Sequence, residues 1–214
     1  MHRFLITFAP PLTESLIRSS MGRFFNGCPH TVHLKDYAVL LCKDGCETGG
    51  STSIPSGSLE IDWTETSVVE PYQTHVIVYC ERLFTSNCAD YKLLAKAHSM
   101  FADLGDGNDW LGLYYKPALN VVDQIGTVGG YPGLGWAVAG VDAATRDHRL
   151  LRKPTVDHGN CGNWHHSSGT TASDSEWLVL PPHAPAPSET IKEHRITWPP
   201  PGPPAAPLLP MYPP

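Results

Sequence analysis

The apolar residues of this chain fall in short runs, each stopped by glycine, proline, asparagine or aspartate. That punctuation belongs to strands joined by turns. It predicts strands over residues 4–8, 31–34, 37–43, 58–61, 74–80, 110–116, 119–125, 136–139, 148–153 and 176–180. One segment keeps a different period: in YKLLAKAHSMF, Leu93, Leu94, Ala97 and Phe101 recur near every 3.6 residues. It predicts a single short helix lying across an open end of the sheets. Many short strands at this spacing predict an all-β fold, a sandwich or a barrel.

Composition changes this picture at the C-terminus. Of the 21 prolines in 214 residues, 13 lie in 181–214, and WPPPGPPAAPLLPMYPP can neither pair as a strand nor continue as a helix, because proline lacks the amide donor. The chain therefore divides into a β domain over 1–182 and a proline-rich tail over 183–214, expected to be disordered. Within the tail only SETIKEHRI, residues 188–196, has ordinary composition. No run approaches the roughly 20 apolar residues of a membrane-spanning helix. The net charge of -6 opposes broad binding to nucleic acid. The N-terminal apolar run is broken by Pro10 and Pro11 and has no small-residue cleavage site, so it reads as a first strand rather than a signal peptide. Six cysteines leave two states open. Cys42 with Cys46, and Cys80 with Cys88, each bracket a short loop that a local disulfide can close, or they are free thiols.

Three consecutive stretches, VVDQIGTVGGYPGLGWAVAGV, TRDHRLLRKPTV and HGNCGNWHHSSGTTASDSEWLVLP, resemble in order and spacing the C-terminal half of the lamin-tail domain. The branch they are similar to is found in secreted proteins and beside extracellular nucleases. GDGNDWLGLYYK, THVIVYC and FFNGCPHTVHLKDYAVLL are similar to its earlier strands, so the resemblance covers roughly 4–182 and is densest from 104 onward. It implies an immunoglobulin-like β-sandwich, an extracellular location and a non-catalytic binding or adaptor role, with ligand and partner unspecified. The alternative it implies is the accessory domain of a secreted metal-dependent nuclease or phosphodiesterase, separated from its catalytic domain.

Side chains able to carry chemistry are few. Asp103, Asp106, Asn108 and Asp109 offer oxygen ligands for calcium, but their spacing departs from the calcium-loop pattern and turn chemistry accounts for them. His158, Cys161, His165 and His166 have zinc-ligand types without a second ligand pair. They read as a solvated loop anchored by Trp164. Ser167 and Ser168 beside His166 lack a nucleophile elbow. No catalytic set and no cofactor are expected. Arg146, Arg149, Arg152 and Lys153 form the one basic cluster, and Arg152 is expected to pair with Asp123 or Glu176 rather than bind phosphate. Trp136 and Trp177 are assigned to the core. In the tail, Leu209, Pro210 and Tyr212 form an L-P-x-Y ligand pattern for WW or SH3 domains, of a kind that arises readily by chance in proline-rich sequence.

Overall fold

The structure is a computed structural model, and it describes residues 4–9, 19–45, 59–63, 66–80, 98–101 and 105–181. The described residues form an all-β fold of twelve strands: β1 (Phe4–Ala9), β2 (Ser19–Asn26), β3 (Val32–His33), β4 (Tyr37–Cys42), β5 (Leu59–Asp62), β6 (Val68–Val69), β7 (Thr74–Cys80), β8 (Ser99–Phe101), β9 (Trp110–Tyr115), β10 (Asn120–Ile125), β11 (Arg149–Arg152) and β12 (Trp177–Leu180). Two short helices, α1 (Ala144–Asp147) and α2 (Trp164–Ser168), sit in the loops. One sheet has the order β12-β11-β1-β2-β7-β8, a second β10-β9-β4-β5, and β3-β6 form a small ribbon. All pairings are antiparallel except β7 with β8.

The two large sheets share one core. Phe24, Ile77, Leu150 and Trp177 from the first meet Val39, Leu41, Leu111, Leu113, Val122 and Ile125 from the second. The other face of the second sheet is dry as well: Ala38, Leu40, Cys42, Trp110 and Tyr114 make a separate buried cluster with Val121 and Val128 against it. Continuous apolar runs such as YAVLLC follow from burial on both faces, where a strand with one wet face would alternate.

Several expected elements differ. Residues 136–139 are not a strand; they contribute only an isolated bridge, Val138 to Val141, because Trp136 and the left-handed Gly140 hold the segment in a loop. The expected helix cannot include its last three residues, since 99–101 form β8 beside β7; residues 91–97 lie outside the described residues. The expected strand at 31–34 shortens to two residues and passes into a 3-10 turn at Leu34–Asp36. Strands β2, β6 and β8 were not expected, and neither were α1 and α2. Among the described residues no helix is long and apolar enough to cross a membrane. The tail, including Leu209, Pro210 and Tyr212, lies outside the described residues, as do the side chains of Cys46, Cys80 and Cys88. Cys28 is a buried free thiol and Cys161 an exposed one, while Cys42 is disulfide-bonded.

One histidine is held inside this packing. His75 on β7 stacks on His98 with ring centroids 5.1 Å apart, meets the edge of Trp63, and bonds Ser99 Oγ through Nε2 at 2.8 Å. Burial, and then the neighbouring His98, lower its pKa to about 4. The unfolded chain therefore binds the extra proton first as pH falls. Stability is full above about pH 6.5 and declines toward pH 4, by up to about 3 kcal/mol. Urea midpoints taken across that window should show the slope in the wild type and a much flatter one in His75→Gln; equal slopes refute the assignment.

Candidate interaction surface

The residues named by the sequence separate into a buried polar network, a tethered turn and an exposed loop. A register shift between Val121 and Asp123 in β10 turns the Asp123 carboxylate inward. Arg152, 2% exposed, meets it at 2.5 Å through Nη2, bonds Glu176 through Nη1, and lays its guanidinium 3.9 Å over the Trp177 ring. Asp123 Oδ1 also accepts the amides of Gln124 and Asn160, both at 3.0 Å. Asn160 donates to Gln124 O and to Ser167 Oγ, and Gln124 Oε1 accepts the indole N–H of Trp110 at 3.0 Å. One hydrogen-bonded set thereby links β9, β10, β11, β12 and α2. It faces inward and most of its polar atoms are paired within it, Arg152 Nε being buried without a hydrogen-bond partner, so its role is to lock these elements together.

The candidate calcium residues that are described form hydrogen bonds of a turn. Asp109 accepts the amides of Asp44 and Asp106, one on each carboxylate oxygen, both at 2.9 Å. Asn108 donates to Asp44 Oδ1, Asp106 is exposed, and Asp103 lies outside the described residues. Asp109→Ala strands two amides and is expected to cost roughly 2 kcal/mol, read as a lowered thermal midpoint. A loss near zero would show that the carboxylate is not holding the turn.

His158 bonds Asp157 through Nδ1 at 2.7 Å; His165 and His166 stand exposed on α2, and Cys161 lies at a left-handed position. No group of three such ligands is brought together among the described residues. Trp164 is buried beside Trp177, 6.2 Å between centroids, and anchors this loop. The next turn closes on Asp174, whose carboxylate accepts the amides and hydroxyls of Thr170 and Thr171. Those donors, led by the Thr171 amide, lower its pKa to about 2. Lys153 folds onto the carbonyls of Ala172 and Ser173, so it is occupied within this turn rather than in a phosphate patch.

What faces outward is the loop after β10. Gly129 N–H donates to Gly45 O at 2.7 Å, and at Gly45, with φ of +87°, an added Cβ would lie 1.7 Å from Gly130 O. Only glycine permits that approach. The Trp136 ring lies over Gly126 and Gly130; its indole donates to Asp109 O at 2.9 Å and its amide to Thr145 Oγ1 at 2.7 Å, while Thr145 Oγ1 donates to Gly107 O. This scaffold fixes both ends of Tyr131-Pro132-Gly133-Leu134. Tyr131 and Leu134 at its tip are each 66% exposed, more than any other large apolar side chain among the described residues. Around the base stand the exposed acids Asp44, Asp106 and Asp142. In the sequence the five glycines of GTVGGYPGLG count only toward the resemblance to the lamin-tail domain. The signal passed over there was two large apolar residues framed by glycines that have packing duties.

Compared with known proteins, the chain matches no family model and no curated sequence.

Proposed function

We propose that this chain is a non-catalytic binding or adaptor module with an immunoglobulin-like sandwich of the lamin-tail type, and that it acts outside the cytoplasm. The observation that carries the binding role is the pair Tyr131 and Leu134, held in water by a loop whose backbone is pinned at Gly45, Asp109 and Thr145. Exposed aromatic and aliphatic anchors on a preorganised support lose little entropy on binding and supply most of the energy of an interface. A convex tip of this kind fits an apolar pocket on a partner protein. The acids at its base favour a basic rim around that pocket.

Two arms test the reading. The purified chain, incubated with plasmid DNA and Mg²⁺, Mn²⁺ or Ca²⁺, is expected to leave the DNA intact; cleavage abolished by EDTA would overturn the non-catalytic role. In capture from the native source, Tyr131→Ser with Leu134→Ser is expected to lose at least tenfold of the bound partner, and undiminished capture would remove the tip from the interface.

A further inference from the structure

We infer that His75 and His98 form an acid-released latch: with both rings neutral they hold β8 on the edge of β7, and proton uptake frees β8 while β7 stays paired with β2. The inference starts from how β8 is attached. It is the outermost strand of its sheet, three residues long and joined to β7 in parallel. His98, the residue before it, closes on Val76 twice: its amide donates to Val76 O, and its Nδ1 accepts the Val76 amide, both at 2.8 Å. A backbone amide can only donate, so Nδ1 carries no proton in this arrangement. A proton placed there would point at the Val76 N–H and strand it. Beside this contact His75 Nε2 bonds Ser99 Oγ of β8 at 2.8 Å, and the two imidazoles stack with 27° between their planes and 5.1 Å between centroids.

Every bond that fixes β8 at this end therefore depends on neutral imidazole. Stacked rings at this separation resist a second charge, because like charges would face each other in a partly dry site. His98 is exposed and within reach of water, whereas His75 is buried. Facing His75 are His98 and Ser99, the edge of Trp63 after β5, and Phe24, its cross-strand partner on β2. Of these four only His98 titrates. Arg23, the charged neighbour on β2, pairs with Val76 and so belongs to the opposite face of the sheet. Burial, and then His98, lower the pKa of His75 from 6.5 to about 4. The open state takes up the proton first, so the closed state is fully favoured above about pH 6.5 and loses ground as pH falls toward 4. At pH 5 that amounts to about a thirtyfold change in the opening equilibrium. The weaker side gives way: β7 keeps its pairing with β2 along its whole length, Thr74 to Cys80, and loses only the three residues of β8. The freed edge of β7 then presents backbone N–H and C=O groups to solvent.

Amide exchange of the full chain in low urea tests the latch. Val76 directs its N–H toward β8 and, by the alternation of the strand, so does Val78. Between about pH 7.5 and pH 5 the protection factors of these two amides should fall about thirtyfold. Their urea dependence should be well below that of the Val39 and Leu113 amides in β4 and β9, which open only when the whole domain unfolds. In the double variant His75→Gln with His98→Gln, which keeps a side-chain acceptor at both positions and removes both titrations, protection of Val76 and Val78 should not change with pH over that range. Protection of Val78 that is insensitive to pH in the wild type, a urea dependence equal to that of Leu113, or a pH effect that the double variant retains overturns the latch. The first two readouts use the wild-type chain alone and decide the matter even where the variant does not fold.

Discussion

Replacing Arg152 with Met is expected to lower the free energy of unfolding by about 3–5 kcal/mol. The Asp123 and Arg152 side chains have no exposed surface, and Asp123 Oδ1, which also accepts the amides of Gln124 and Asn160, loses the guanidinium that faces it while it stays buried. The attraction between the ions is not the main quantity lost; the dominant cost is the uncompensated charge. Two comparisons follow from that. Glu176, whose side chain retains 20% exposure, can turn to water, so Glu176→Gln should cost about 1 kcal/mol or less while Asp123→Ala costs several. Arg152→Met combined with Asp123→Leu removes both charges and should recover much of the single-variant loss. Arg152→Lys should not rescue, because an ammonium cannot reach two carboxylates and lie flat on Trp177 at once. Guanidinium unfolding curves for the set decide it. Equal losses for Asp123→Ala and Glu176→Gln would mean that the pair is solvated and the argument from burial fails.

Trp110→Ala should be of similar size, about 4 kcal/mol. The ring is wholly buried in the second core among Ala38, Leu40, Cys42 and Tyr114, and its indole satisfies Gln124 Oε1. Truncation opens a large cavity and strands that oxygen. Trp110→Phe keeps most of the volume and isolates the hydrogen bond, at roughly 1–2 kcal/mol. A second substitution sharpens the claim. A Cβ at Gly112 would stand 2.4 Å from Trp110 Cη2, so Gly112→Ala is destabilising while the ring is present and milder once it is gone. The two changes should therefore be non-additive, with the double variant more stable than the sum of the single losses. Strict additivity would show that the ring does not rest on Gly112.

Elements with an uninterrupted apolar run between turn residues were legible: residues 74–80 are β7 as read, and the readings at 37–43 and 110–116 overrun β4 and β9 by one residue. Strand β2 escaped because SSMGRFFN puts Gly22 and Arg23 where an apolar alternation is looked for. In the fold Gly22 makes room for Ile77, 3.0 Å from where a Cβ would be, and Arg23 is buried. No local pattern announces an arginine that goes inside. Strand β8 was read as the end of a helix because its three residues are too few to show a period of their own, and their pairing with β7 is a long-range fact. Arg152 was placed opposite Asp123 or Glu176, and the fold brings both to it. Tyr131 and Leu134 could not be ranked in advance, since whether a glycine-rich loop folds inward or stands out depends on what Gly45 and Asp109 do to it.

The dryness of both faces of β4 has a consequence for how the central strand pair finds its alignment. Along YAVLLC, alternate residues enter different cores, Val39 and Leu41 one, Ala38, Leu40 and Cys42 the other. Sliding β4 by one position against β9 would exchange one oily set for another and put no polar group in the wrong place. Hydrophobicity, which aligns a half-wet strand, is silent here. What distinguishes the native alignment is size: the Trp110 ring over Gly112, and Tyr37 against Tyr115 at 5.0 Å between centroids. Misaligned pairings of these two strands are near-degenerate competitors during folding, separated from the native one by the fit of a few large rings rather than by solubility.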